Sequence, residues 1–166
     1  TERAAHRTDF VGTLRKQGRM HPDIAAFPNT YFYEREQLEC VPLAHQTEPN
    51  LPYNEPSEDK TDDFLKAHRM VFIPSQSCRQ PYISEKVNTE EARIVADLVR
   101  RLYRQMGTTF DAQKSIGIIV PYRNQIAMIR KELEQLCLPA IDKISIDTVE
   151  RYQGSQRDII LYSFTI

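Results

Sequence analysis

Cysteine is scarce in this chain: Cys40, Cys78 and Cys137 are far apart, odd in number and never in a C-x-x-C pair. That spacing speaks against a disulfide framework, a zinc ribbon and a cysteine-ligated cluster. It suits an intracellular protein, cytoplasmic if bacterial. Glycine is sparse too, at Gly12, Gly18, Gly107, Gly117 and Gly154, and none is followed by lysine. A G-x-x-x-x-G-K-[ST] phosphate loop is therefore absent, as is the G-x-G-x-x-G turn of a Rossmann-type cofactor enzyme. Nor does any strand end carry the paired acids that hold Mg²⁺ beside such a loop. The longest uncharged apolar stretch is short and broken by Pro121, so nothing here is expected to span a membrane. The opening TERAAHRTDF has no apolar centre of a signal peptide, and a chain that begins at Thr1 reads as a piece of a longer one. His6, His21, His45 and His68 are scattered without an i, i+4 pair, which argues against a metal site.

What is present has the balance of one globular domain: 166 residues, 40% hydrophobic and 27% charged. The net charge of -1 hides a division. Between Glu34 and Asp63 nine acids face only Arg35 and Lys60, a local -7 that leaves +6 on the remainder. A modestly basic body beside an acidic stretch is compatible with a polyanionic ligand.

Residues 39–67 contain Pro42, Pro49, Pro52 and Pro56 among charged and polar neighbours, with no apolar period. They read as a long acidic loop or insertion. Met70–Ile73 is a short strand-like run stopped by Pro74. Asn88 is expected to open a helix with Glu91 as its capping-box partner. Ala92, Val95, Leu98, Val99, Leu102 and Met106 form that helix's apolar face, and Gly107 its stop. Ile116–Val120 predicts a strand leading through Pro121 into a second helix with Ile126, Ile129, Leu133 and Leu136 on one side. Ile144 and Ile146 alternate up to Thr148, and Ile159–Phe164 makes a last strand. The alternation predicts an α/β domain: a mostly parallel sheet flanked by helices. Ligand-contacting residues in such sheets gather beyond the carboxyl ends of strands. Here that means Pro121-Tyr122-Arg123, and Thr148 running on to Gly154.

Three segments carry candidate chemistry. In Leu14–Pro22, Arg19 lies just before a helix that Pro22 can start, where a guanidinium can reach a phosphate bidentately. In Ile118–Gln125, a strand runs into a helix whose first N–H groups, with Tyr122 and Arg123, favour anions. In Ile146–Ile160, Thr148 and Gln153 offer donors and Gly154 lets the backbone approach a ligand closely. Each also has a plainer reading: a surface arginine, a polar strand–helix tip and an ordinary turn. The third segment is the most specific. Glu58-Asp-Lys60 has the E-x-K spacing of some nucleases, but in a loop. Tyr31, Phe32 and Tyr33 are expected to be core anchors, with base stacking the minority alternative.

Taken together, these segments resemble the second RecA-like motor domain of superfamily 1 helicases, in the 5′-to-3′ branch typified by the nonsense-mediated-decay RNA helicase. Leu14–Tyr33 is similar to the family's RMHP…I…F…FY segment, and Asn88–Ala92 to its N-x-x-E-A helix start. Ile116–Gln125 resembles GIITPYRAQ, and Ile146–Ser163 resembles VDTVDGFQGREKDIIILS. The resemblance implies a RecA-like P-loop-NTPase-type fold, incomplete at its C-terminus. It divides into a helical lead-in (1–38) carrying RMHP, the acidic insertion (39–67) and a sheet-and-helix core (68–166). It further implies an ATP-dependent DNA or RNA helicase in which Arg19 reaches the γ-phosphate of ATP. Arg19, Gln156 and Gly154 would contact the nucleotide, and Tyr122, Arg123, Thr148 and Gln153 the single strand. A missing first motor domain would hold the Mg²⁺ and most of the ATP, so the fragment alone is expected to be inactive.

Two departures weaken the match. Gln156 stands where the family usually has a glutamate, and Gly18 where many members stack a tyrosine on the adenine. These support the alternative of a non-catalytic scaffold module that grips nucleic acid or protein.

Overall fold

The structure, a computed structural model, describes residue 12, residues 14–48, 51–75 and 86–165; His6 and Cys78 lie outside them. The chain divides into two compact units, Thr1–Leu51 with Phe64–Val71, and Pro52–Asp63 with Phe72–Ile166.

The first unit is a miniature strand–helix–strand. β1 (Lys16–Gln17) pairs in parallel with β2 (Glu39–Cys40), and α1 (Pro22–Tyr31) lies between them in sequence. His21 caps α1 as a ring acceptor, with Nδ1 3.2 Å from the Asp23 N–H. Pro22 supplies a preset φ at the first helical position. Asn29 ties α1 to β2: its amide donates to the Leu38 carbonyl at 3.0 Å and accepts from the Leu38 N–H at 2.8 Å. Only Ala25 of α1 is buried. The aromatics expected in the core are instead outside, Tyr31 70%, Phe32 71% and Tyr33 41% exposed. A two-residue sheet offers too little surface to cover rings, so Tyr31 and Phe32 pack on Phe27, at centroid distances of 5.0 and 6.2 Å.

The expected long loop over 39–67 also needs correcting, since it contains β2, α2 (Ala44–Thr47) and α3 (Lys60–Ala67). Asp59 caps α3, its Oδ1 accepting from the N–H groups of Thr61 and Asp62 at 2.9 and 3.0 Å. Three acids of this stretch, Glu58, Asp59 and Asp62, are paired with Arg101 or Arg104. Asp62 has no exposure and holds Arg101 (2.9 Å) and Arg104. Glu58 meets Arg104 at 2.8 Å, which disposes of the E-x-K metal reading.

The second unit carries the main sheet. α4 (Thr89–Met106) precedes β3 (Ile116–Val120), α5 (Arg123–Glu134), β4 (Ser145–Thr148), the single turn α6 (Val149–Tyr152) and β5 (Ile159–Tyr162). The sheet is parallel in the order β4-β3-β5, with Val120 beside Thr148 and Ile116 beside Ile159. This is the parallel α/β architecture expected from the alternation of elements, and it is consistent with the RecA-like fold that the resemblance implies. Val95, Val99 and Leu102 of α4 and Ile129 and Leu133 of α5 close over Ile116, Ile118, Val120 and Ile146. Gly107 ends α4 at φ +56°, a left-handed conformation that L side chains rarely adopt. Met70–Ile73 forms no strand. Phe72 is 76% exposed and stands edge-on to Phe164, and Pro74 removes a donor that pairing would need.

Candidate nucleotide and nucleic-acid interface

In the first unit Arg19 sits on the bend Gly18–Met20 that follows β1, and it is exposed. The bend is wrapped around one side chain. Gln17 Oε1 accepts from the N–H groups of Arg19 (2.8 Å) and Met20 (2.7 Å), while Gln17 Nε2 donates to the Met20 carbonyl at 2.9 Å. Gly18 leaves room for a side chain at that position, where an added Cβ would only touch Leu43 at 3.4 Å.

In the second unit three of the nucleic-acid candidates come together. Because Val120 and Thr148 are register partners, the ends of β3 and β4 lie side by side. Tyr122, 41% exposed, is the N-cap of α5 and Arg123 its first residue; both stand beside Thr148, the N-cap of α6. Lys86 Nζ lies 5.8 Å from the centre of the Tyr122 ring, a cation over a π face. Beside Thr148, Glu150 is held below the usual carboxylate range by its own N–H and then by the Thr148 hydroxyl.

Gln153, Gly154 and Gln156 lie on the stretch between α6 and β5. From Thr148 the chain runs back toward the amino end of the sheet, where Tyr152 lies over Gly117 and the Asp158 N–H donates to the Lys114 carbonyl at 3.0 Å. Gly154 has φ +80°, with nothing within 4 Å of a Cβ built there. Gln156, exposed, follows two residues later. The stretch returns the chain to the amino end of the sheet because β5 runs parallel to β3 and starts beside Ile116.

Sequence reasoning missed the polar knot behind Tyr122 and Arg123. Glu91, only 8% exposed, accepts from the Ser163 hydroxyl at 2.6 Å and the Thr165 N–H at 2.8 Å. Gln125, fully buried, accepts from the Asn88 N–H and donates to the Asn88 carbonyl, both at 2.9 Å. Its amide also reaches the Ser163 hydroxyl at 3.3 Å. The starts of α4 and α5 and the exit of β5 are thereby fastened together. A signal existed: Gln125, Ile129 and Leu133 recur every four residues on the buried side of α5, so an amide occupies an apolar stripe. Among the described residues no group of three or more His, Cys, Asp or Glu side chains is placed to hold a metal ion. No described helix is long and apolar enough to cross a membrane.

A parallel sheet with helices on it is consistent with a RecA-like α/β helicase domain. The chain belongs to the family described as an AAA domain, which matches residues 1–165. Helicase SEN1 of Saccharomyces cerevisiae is 32% identical over 155 residues, covering 89% of this chain and 6% of that protein. Putative helicase mov-10-B.1 of Danio rerio is 28% identical over 165 residues, 93% of this chain and 15% of that protein. Probable helicase senataxin of Homo sapiens is 27% identical over 154 residues, 89% and 5% respectively. The relatives are named helicases, and the chain spans only a small part of their length.

Proposed function

We propose that the chain is the second, C-terminal RecA-like motor domain of an ATP-dependent DNA or RNA helicase in the nonsense-mediated-decay-helicase-like branch. Its partner would be a first motor domain of the same polypeptide. That domain would carry the phosphate loop and the Mg²⁺. Residues 1–38 then act as the lead-in carrying Arg19, 39–67 as an acidic insertion and 68–166 as the core. The isolated chain would not turn over ATP.

Each residue has a physical task in this reading. Arg19 meets the negative charge on the γ-phosphoryl oxygens as the bond to the β-phosphate breaks, a contribution on the order of 10³–10⁵ in rate. Gln156, neutral, can hydrogen-bond a ribose hydroxyl but cannot act as a carboxylate, and Gly154 allows close backbone approach. Tyr122 stacks a base while Arg123, Thr148 and Gln153 meet the backbone, with little sequence preference. ATP favours the closed arrangement of the two domains only through contacts made there and not in the open one.

The observation that carries the reading is the exposed Arg19 on a backbone bend held by Gln17. Arg19→Ala in the full-length protein is expected to abolish strand-stimulated ATP hydrolysis while leaving thermal unfolding nearly unchanged, because the side chain is exposed. Hydrolysis at the original rate would refute it. Gly18 and Gln156 favour a second reading, a non-catalytic scaffold, and a full-length protein that binds single strands without hydrolysing ATP would establish that one.

A further inference from the structure

We infer that Gln46 is a positioning residue for Arg19, and that the segment Glu39–Thr47 exists to bracket the arginine bend. This rests on the reading of Arg19 as a γ-phosphate sensor. Gln46 comes from α2, 29 residues beyond Gln17 in sequence, and is fully buried. Both hydrogens of its amide are spent on the bend: Nε2 donates to the Gln17 carbonyl at 3.0 Å and to the Met20 carbonyl at 2.9 Å. Cys40 of β2 adds a thiol donor to the same Met20 carbonyl at 3.2 Å, and His45 Nε2 lies 3.1 Å from the Gly18 carbonyl. Every carbonyl from Gln17 to Met20 except that of Arg19 itself is therefore addressed by the segment 39–47.

A four-residue helix has no stability of its own, so α2 is ordered by what it docks on, and what Gln46 docks on is this bend. The physical need is plain. An arginine side chain is long and flexible, so where its guanidinium can reach is set by where its Cα is held. Displacing a catalytic group by about 1 Å costs about 100-fold in rate. Gln17 fixes the local shape of the bend, and Gln46 fixes where that bend sits in the first unit.

The test is Gln46→Leu in the full-length protein, read in three ways. Amide hydrogen exchange at Arg19 and Met20 should accelerate. The kcat for ATP should fall about 10–100-fold, with KM within about twofold, since the ground-state nucleotide contacts are intact. Adding Arg19→Ala should bring no loss beyond that of Arg19→Ala alone, the signature of two residues acting as one unit. Losses that multiply would overturn the inference, as would unchanged kcat with faster exchange. If Gln46→Leu lowers global stability, His45→Ala replaces it, because His45 is exposed. A smaller acceleration and a smaller fall in kcat are expected, and no change in either refutes the bracket. The two proposals fail separately: a fully active Arg19→Ala protein removes the sensor, whereas an inactive one beside a fully active Gln46→Leu protein removes only the bracket.

Discussion

At Gly117 the space for a side chain is already taken. A Cβ built there would lie 1.7 Å from the Tyr152 hydroxyl oxygen and 2.7 Å from Cζ. The glycine is needed for close approach: it lets the chain leaving β4 cross the face of β3 on its way to β5. Arg157 stacks on the same Tyr152 ring, its guanidinium carbon 5.7 Å from the centroid. Gly117→Ala is expected to destabilise the chain by about 3 kcal/mol through overpacking, read as a lowered urea midpoint. The Tyr152 hydroxyl is buried and finds no hydrogen-bond partner among the described residues. Tyr152→Phe should therefore be neutral or stabilising by about 1 kcal/mol. It should also soften the cost of Gly117→Ala, because the closest clash has gone. A destabilised Tyr152→Phe protein would show that the hydroxyl makes a bond that matters.

Among the elements, α4 was the most legible and α3 the least. The spacing from Asn88 to Met106 predicts a capped amphipathic helix, and the Glu91 N–H does donate to Asn88 Oδ1 at 2.9 Å. Such signals are local, so the residues that make the helix also announce it. One Glu91 carboxylate oxygen accepts from the Asn88 amide at 3.3 Å, while the other accepts from Ser163 and Thr165, more than seventy positions on, and no window of sequence contains both ends of those longer links. α3 was hidden because its acids look like the cost of an unfolded loop until Arg101 and Arg104 are set against them. Burial alone would raise the Asp62 pKa, but the Glu58 N–H and the two guanidinium groups outweigh it and hold the carboxyl well below its ordinary range. The folded value lies below the unfolded one, so the stability this group contributes is complete above pH ~4 and is lost as pH falls further. Unfolding free energy from urea titrations should be level between about pH 5 and 7 and decline below about 4. Asp62→Asn should flatten part of that decline and cost about 3 kcal/mol at neutral pH, by leaving its arginines underpaired. A variant with the same acid profile would show that Asp62 does not govern it. Asp59 and Asp97 are lowered too, by Arg101 among others, so some slope should remain.

At the scale of the molecule, the proposed function has Arg123 meet a phosphate of the strand, a contact that would be measurable as charge. In the full-length protein, Arg123→Ala should weaken single-strand binding equally for all sequences. It should also reduce the slope of log K against log salt by about 0.7, one phosphate contact in a single strand. An unchanged slope would place Arg123 off the strand. The amino-acid order alone determined the α/β class, the helix starts at Pro22 and Asn88, the stop at Gly107 and the motif residues, because caps, turns and apolar periods are written within a few neighbouring positions. Tertiary structure decided which of these meet. It set Thr148 beside Val120, two residues before Tyr122. It exposed Tyr31 and Phe32, left Met70–Ile73 unpaired, and placed Gln46 under the Arg19 bend. Those outcomes depend on which distant groups can satisfy a buried amide, a carboxylate or a strand edge, and only a folded chain brings such groups within hydrogen-bonding distance.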